Sequence, residues 1–152
     1  MEHQAGSDIL LQAKELLANG SFGDSALQNK ATVLSPLPVT DPGGGLHSWW
    51  VPLTIGDRLV AFFQFLKNGT MMRFSSFQRQ PGNYESCPLA TEWLDANSIK
   101  KTAATKIRQG ETLHAPYLTY DQSPDRVVWA VRVTHTQEKD RVIYVAGSYA
   151  YV

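Results

Sequence analysis

The same order of predicted elements occurs twice along the chain, and this repetition constrains the fold more than any other feature. Each half begins with a helix that ends at a glycine, continues through an irregular connector, and then shows a strand, an Asp-Arg turn, a second strand, a glycine and a third strand. The landmarks are Gly20, Trp50, Asp57-Arg58 and Gly69 in the first half, and Gly110, Trp129, Asp140-Arg141 and Gly147 in the second. Self-similarity of this kind predicts one structural unit present in two copies.

The chain length and the order of elements predict an α+β protein. A chain of 152 residues is typical of one compact domain or of two small fused units. We expect two similar units, residues 1–80 and 81–152, packed as one compact domain. In each unit, a helix should lie over the face of an antiparallel β-meander.

In the first unit, a helical stripe precedes three alternating strands. Ser7 or Asp8 can cap a helix whose apolar positions recur at spacings of three and four, namely Ile9, Leu10, Ala13, Leu16 and Leu17. Residues 20–30 are predicted to form a connector and Ala31–Pro38 a short extended segment at a sheet edge. Asn68-Gly69 is a strong hairpin signal between the second and third of the predicted strands Leu46–Thr54, Leu59–Leu66 and Met71–Phe77.

In the second unit, a helix start at Asp95–Ser98 is followed by a stripe formed by Ile99, Ala103 and Ile107 and by a stop at Gly110. Leu89–Leu94 is compatible with a strand or with a helical turn. The remaining predicted extended segments are Thr112–Tyr120, Val127–Thr134, Arg141–Ala146 and Ser148–Val152.

These residues carry a family resemblance. The Trp93–Ser98 stretch, the following helix, the Val127–Val131 strand and the final strands around Tyr144–Gly147 resemble a PepSY-like unit. The resemblance is best over residues 89–152 and fainter over 8–77, and a cystatin-like or another α+β fold remains open. It implies a helix packed on a small antiparallel sheet, a binding or inhibitory role that is frequently exerted at the cell envelope and toward peptidases, and no catalytic residues.

The charge balance argues against some partners. Fourteen Lys and Arg residues balance fourteen Asp and Glu residues, so no overall field attracts nucleic acid or anionic lipid. Residues 1–8 show no secretory signal, and no apolar run approaches the roughly 18 residues that a membrane span needs. We expect a soluble chain without nucleic-acid binding or membrane insertion, and leave its compartment open.

Candidate chemical groups are few and scattered. Cys87 is the single cysteine, which excludes an intramolecular disulfide and a zinc site rich in thiolates. His3 lies near the terminus, and His47, His114 and His135 lie in separate predicted elements without partners at metal-ligand spacing. No nucleophile motif occurs. We therefore expect no catalytic residues, no metal and no cofactor.

The first meander carries large apolar side chains on both predicted faces. Trp49, Leu53 and Phe63 occupy one face, and Trp50, Phe62 and either Met72 or Phe74 the other. A sheet covered on one side should be polar on the other, so the second face predicts burial against the second unit, a dimer interface or a ligand groove. The predicted binding residues are Trp50, Phe62, Phe74 and Tyr149.

These features favour a non-catalytic module that binds an unidentified protein or peptide, in an inhibitory or regulatory role, with homodimerisation left open. Two alternatives remain. A small-molecule carrier would use a pocket lined by Trp50, Phe62 and Tyr149, and a hydrolase would need His47, His114 or Cys87 to converge.

Overall fold

The computed structural model describes residues 6–78, 80 and 83–152, so His3 lies outside the described residues. The described chain has a mixed α+β fold with four α-helices, one 3-10 helix and ten strands. In chain order these are α1 (Gly6–Ala18), α2 (Ser25–Lys30), β1 (Thr32–Val33), β2 (Leu37–Thr40), β3 (Leu46–Ile55), β4 (Arg58–Leu66), β5 (Met71–Ser76), α3 (Ala90–Leu94), α4 (Ala96–Ala103), the 3-10 helix Ala104–Lys106, β6 (Glu111–Leu113), β7 (Tyr117–Tyr120), β8 (Val127–His135), β9 (Arg141–Ala146) and β10 (Tyr149–Tyr151).

The chain divides into two compact units. The first comprises the chain up to Pro38 together with Leu46–Ala90, and the second comprises Val39–Gly45 together with Thr91–Val152. The repeated order of elements in the sequence predicts a division after residue 80 instead. The short segment Val39–Gly45 has no sequence signal that would assign it to the second unit.

The core of the first unit lies between α1 and one face of the meander. The buried positions of α1 are Ile9, Ala13 and Leu17, which are spaced by four residues and so share one side of the helix. They belong to one buried apolar cluster with Val51 and Phe63 of the sheet. The predicted apolar stripe of the first helix is therefore confirmed.

The strands β3, β4 and β5 form the predicted antiparallel meander. Gly69 has a φ of +91°, and its N–H donates to the Leu66 carbonyl, so the Asn68-Gly69 turn closes the second hairpin. Phe63 lies opposite both Val51 and Phe74. Because directly opposed residues point to the same face, Phe74 lies on the α1 face, and its predicted position beside Phe62 is wrong.

Residues 20–30 contain a helix, so their prediction as a plain connector is wrong. The Asp24 carboxylate caps α2 by accepting the Leu27 N–H at 2.9 Å. It also accepts the Tyr84 hydroxyl at 2.5 Å. The hydrogen bond from Tyr84, followed by that from Leu27, lowers the pKa of Asp24. This contact between distant parts of the sequence anchors a helix of only six residues, which is too short to be stable alone.

In the second unit, α4 packs on β8, β9 and β10. Asp95 caps it by accepting the Ser98 N–H at 2.9 Å, which confirms the predicted start. Ile99 and Ala103 are buried, but α4 passes into a 3-10 turn, and Ile107 lies beyond it in extended backbone as an exposed residue. The prediction that Ile107 continues the buried stripe is wrong.

The strands β8, β9 and β10 form the predicted antiparallel meander of the second unit. The sheet also contains a parallel pair, which the sequence did not predict. The strands β7, β8, β9 and β10 pair antiparallel in that order, whereas β2 pairs with β7 in parallel. Two threonine side chains reinforce the parallel pair. Thr40 Oγ1 donates to the Leu118 carbonyl at 2.8 Å, and Thr119 Oγ1 donates to the Thr40 carbonyl at 2.7 Å.

The strand ladders of the two units correspond, but in a register that differs from the predicted one. In the first unit, Trp49 lies opposite Phe65; in the second, Trp129 lies opposite Val145. Trp129 therefore matches Trp49 instead of Trp50. Arg58 lies opposite Ile55 of β3, and Arg141 lies opposite Val133 of β8. In the first unit, the position that matches Val133 is Leu53, and Leu53 lies opposite Ala61, not opposite Arg58. The two Asp-Arg turns occupy different ladder positions, and their predicted equivalence is wrong.

A bidentate ion pair joins β6 to β9 and gives a pH-dependent prediction. Glu111 Oε2 lies 2.7 Å from Arg141 Nε and Oε1 lies 2.8 Å from Arg141 Nη2, with the Glu111 side chain 2% exposed. The hydrogen bonds from Arg141 lower the pKa of Glu111 from 4.5 to about 2. Because this pKa is lower in the folded chain than in the unfolded chain, the stabilisation is fully present above pH 4.5 and is lost as the pH falls toward 2.

We expect Glu111→Gln to lower the melting temperature at pH 7. This difference from the unsubstituted protein should shrink as the pH falls toward 2, because the ion pair is then lost in the unsubstituted protein as well. Thermal melts followed by circular dichroism between pH 7 and pH 2.5 measure the difference from the unsubstituted protein. Glu92→Gln, which neutralises an exposed acid of α3, serves as the control. A Glu111→Gln difference that stays constant down to pH 2.5 would contradict the assigned role of the ion pair.

Candidate functional site

The predicted binding residues of the first unit do not share one face of its sheet. Trp50 and Phe62 are 2% and 8% exposed, and their ring centroids lie 5.1 Å apart. Phe74 packs against Phe63 on the α1 face at a centroid distance of 5.0 Å. Tyr149 is 65% exposed and belongs to the second unit. A binding role for all four residues stays a prediction, and Tyr149 is part of a larger set of tyrosines.

A row of tyrosines crosses one face of the second unit. Tyr117 of β7 and Tyr144 of β9 both lie opposite Ala130 of β8, and Tyr151 of β10 lies opposite Tyr144. Directly opposed residues share a face, so these positions form a line across four strands. Tyr149 lies two residues before Tyr151 and shares its face. We call Tyr117, Tyr144, Tyr149 and Tyr151 the tyrosine face.

The alternation of the strands explains why this face is available. On β8 and β9, the intervening residues are buried apolar side chains, among them Val131, Ile143 and Val145. They form the opposite side of the sheet, and α4 packs on these strands. On the tyrosine face, Tyr117 is 40% exposed and Arg132 is exposed. The side with Val131, Ile143 and Val145 is therefore core, and the other side carries the aromatic rings around the buried Ala130.

The tyrosine rings of the last two strands, β9 and β10, are ordered against one another. Tyr144 and Tyr151 stack with centroids 5.4 Å apart and planes at 29°, and Tyr149 stacks on Tyr151 at 5.9 Å. The Tyr151 hydroxyl donates to Asp121 Oδ2 at 2.6 Å. Stacked rings that are held by a hydrogen bond lose little further conformational entropy when a ligand binds.

A cleft of about 410 Å³ opens beside the row. Three tyrosines and Asp41 are its most prominent lining residues, and the full lining is Thr40, Asp41, Pro42, Gly44, Tyr117, Thr119, Tyr120, Val142 and Tyr144. Asp41 fixes its own loop, because its Oδ1 accepts the Gly45 N–H at 3.0 Å. Gly44 has a φ of +94°, a conformation that favours glycine at this bend. We call this cavity the acidic cleft.

A second cleft of about 490 Å³ lies on the tyrosine face of the same unit and shares Tyr117 with the first. Its lining is His114, Ala115, Tyr117 and Arg132. His114 Nε2 lies 2.8 Å from Thr134 Oγ1, which holds the imidazole in place. We call this cavity the basic cleft, since Arg132 carries a permanent positive charge.

The environment of two of the tyrosines raises their pKa values above the ordinary value of 10.0. Burial, followed by the hydrogen bond to Asp121, raises the pKa of Tyr151 to about 12. Burial, followed by the charge of Asp121 and by Tyr117, raises the pKa of Tyr144. Both side chains are neutral phenols at neutral pH, so they offer aromatic rings and hydrogen bonds without negative charge.

The groups considered for catalysis show no catalytic arrangement in the described part of the chain. Cys87 is 1% exposed, and burial raises its pKa, which disfavours the thiolate that a nucleophile needs. His47 Nδ1 lies 2.9 Å from Ser48 Oγ in the first unit, whereas His114 belongs to the second. No group of three His, Cys, Asp or Glu residues suited to a metal occurs among the described residues. None of the described helices is long and apolar enough to cross a membrane.

Sequence reasoning identified Tyr149 but missed most of this site. Tyr149 and Tyr151 are two residues apart on a short strand, and this spacing indicates a shared face. No sequence signal places Tyr117 and Tyr144 on either side of Ala130, because that arrangement depends on the register of three strands. Asp41 joins the site only because its segment belongs to the second unit.

The chain matches no protein-family model, no curated protein sequence and no solved structure.

Proposed function

We propose that the protein is a non-catalytic module that binds a protein or peptide segment on the tyrosine face of its second unit. The observation that carries this proposal is the line of tyrosines across β7, β9 and β10, on the side of the sheet opposite Val131, Ile143 and Val145. Tyrosine supplies a large amphipathic contact area at a low entropic cost and is enriched at interfaces for that reason. Two flanking clefts offer places for side chains of the bound segment.

The edge of the sheet supports a specific binding mode. β10 pairs with β9 and, within the described residues, with no other strand. A segment that pairs with β10 as an additional strand would have its backbone amides bonded and alternate side chains directed over the tyrosine face. Pairing with an edge strand is also a route to self-association, so a second copy of the chain competes with a foreign peptide in this mode.

We also propose that the two units descend from one duplicated unit, with an offset of 80 residues. In support, six identities occur at this spacing, namely Thr32 with Thr112, Pro36 with Pro116, Asp41 with Asp121, Trp49 with Trp129, Val51 with Val131 and Thr54 with Thr134. The ladders β1–β3 and β6–β8 have the same relative register. A PepSY-like or cystatin-like relationship of each unit remains a proposal, supported by a helix packed on a meander.

The binding proposal is tested with random dodecapeptides displayed on phage. We expect selection on the immobilised protein to yield peptides that bind with dissociation constants in the micromolar range. The paired substitution Tyr117→Ser and Tyr149→Ser should weaken them at least tenfold, because it removes two exposed rings. Calorimetric titration measures the affinity, and circular dichroism verifies folding.

The matched control is Leu11→Ser with Ile107→Ser, which removes two exposed apolar side chains elsewhere. It should leave the affinity unchanged. The proposal fails if no peptide is selected, or if the tyrosine pair and the control pair have equal effects.

A small-molecule carrier is the second candidate. The two clefts, of about 410 and 490 Å³, fall in the size range of ligand pockets. They lie beside Tyr117, and neither is lined by Trp50, Phe62 or Tyr149, the residues predicted for such a pocket. A small ligand retained through purification, and lost on Tyr117→Ser, would favour this function.

A further inference from the structure

The acidic cleft combines aromatic walls with a single charged side chain. Tyr117, Tyr120 and Tyr144 contribute rings, and Asp41 is the only acid or base in its lining. Asp41 Oδ1 accepts the Gly45 N–H. Within the described residues, no hydrogen bond reaches Asp41 Oδ2 and no basic side chain pairs with Asp41. The carboxylate therefore has capacity for a further donor.

Each wall favours a positive charge. The face of an aromatic ring is the negative end of its quadrupole, so it attracts ammonium and guanidinium groups. Tyr117, Tyr120 and Tyr144 contribute three such rings to the lining of the cleft. The carboxylate of Asp41 in the lining adds a hydrogen-bond acceptor and a direct charge attraction, which is stronger in a partly desolvated cleft than in water.

The neighbouring basic cleft provides an internal contrast. It shares Tyr117 but is lined by Arg132 and His114. A cation placed there would meet the positive charge of Arg132, so the two sides of Tyr117 differ in the charge that they accept. The difference gives a bound segment a preferred direction and placement.

We propose that the acidic cleft binds the cationic side chain of a lysine or arginine in the bound peptide segment. This inference rests on the proposed peptide-binding function and specifies the chemistry of its ligand. A volume of about 410 Å³ accommodates a long basic side chain. The aliphatic stem contacts the rings, and the charged end lies at Asp41.

The test uses two small compounds that differ only in the terminal ammonium group, N-acetyl-lysine N-methylamide and N-acetyl-norleucine N-methylamide. In titrations followed by nuclear magnetic resonance, we expect the lysine compound to bind at least tenfold more tightly and to shift the signals of Tyr117 and Tyr144. Asp41→Asn should remove this preference while retaining the acceptor for the Gly45 N–H. Asp57→Asn removes an exposed charge from the first unit and should change nothing.

A third probe, choline, separates this inference from the proposed function. Suppose that choline binds as tightly as the lysine compound or more tightly, and that phage selection yields no peptide. The cation site would then stand, but the peptide-binding function would be overturned. Selected peptides that bind equally well to Asp41→Asn would keep the peptide function but overturn the cation site. Equal binding of the lysine and norleucine compounds would also overturn it. Retention of the lysine preference in Asp41→Asn would remove Asp41 from the site.

Discussion

Replacement of Trp50 by alanine is expected to lower the free energy of unfolding by about 3–5 kcal/mol, the usual cost of truncating a large buried aromatic residue. Trp50 is 2% exposed and packs against Phe62, whose ring also receives the Arg73 guanidinium at 4.8 Å from its centroid. The truncation would leave a cavity beside a packed ring and a cation. Since domains of this size are stable by only about 5–15 kcal/mol in total, the variant should lose much of its stability.

Guanidinium unfolding followed by far-ultraviolet circular dichroism measures the effect without depending on tryptophan fluorescence. The control is Tyr149→Ala, which truncates a 65% exposed residue and should change stability by less than about 0.5 kcal/mol. The comparison separates two residues that sequence reasoning assigned to one binding surface. If Trp50→Ala were as mild as Tyr149→Ala, Trp50 would not be part of the core.

Local sequence patterns predicted the elements that are stabilised by contacts between residues close together in the sequence. The Asn68-Gly69 turn determines a hairpin by its own backbone preferences, and the alternation of β3 and β4 identifies strands whatever their neighbours are. The Asp95 cap likewise involves residues within one turn of α4. These are the parts of the fold that the structure confirms.

Elements that depend on distant contacts were not predictable in this way. α2 relies on the hydrogen bond between Asp24 and Tyr84, which are 60 positions apart. The parallel pairing of β2 with β7 joins Thr40 to Leu118, and period-two alternation carries no information about which strands pair. The four-residue spacing of Ile99, Ala103 and Ile107 predicted a longer helix, but α4 ends at Ala103 and Ile107 lies outside it.

The same limit applies to the candidate site. Alternation predicts which side chains of one strand share a face, but the tyrosine row requires the mutual register of β7, β8, β9 and β10. The excess of aromatic residues in the first meander drew attention to Trp50 and Phe62, which are buried. Aromatic residues in a sequence indicate a core and a binding surface equally well, and only their burial separates the two.

Trp49 and Trp129 offer a test of how closely the two units correspond in energetics. They occupy the same ladder position, opposite Phe65 and Val145. The Trp49 ring lies beside Gly6 of α1, since a side-chain carbon added at Gly6 would be 3.6 Å from the ring. Trp129 Nε1 donates to the Trp93 carbonyl of α3 at 2.5 Å. Each tryptophan thus lies beside a helix of its own unit, but through different contacts.

Trp129→Ala should lower the free energy of unfolding by about 3–5 kcal/mol, because it removes a large buried ring together with its hydrogen bond. Trp129→Phe keeps most of the ring and leaves the Trp93 carbonyl without its donor, which adds about 1–3 kcal/mol to the cost of the smaller ring. At Trp49, the buried Nε1 has no hydrogen-bond partner among the described residues. Trp49→Phe should therefore be the milder of the two phenylalanine variants.

Guanidinium unfolding of the two phenylalanine variants, followed by circular dichroism, measures the difference directly. A larger loss for Trp129→Phe would show that a shared ladder position stabilises the two units by different means: ring packing alone at Trp49, and ring packing with a hydrogen bond at Trp129. Equal losses would contradict this, since the Trp129 hydrogen bond would then contribute nothing beyond the packing that both rings provide. Because the comparison involves the same substitution at matching strand positions, differences in side-chain volume cancel to first order.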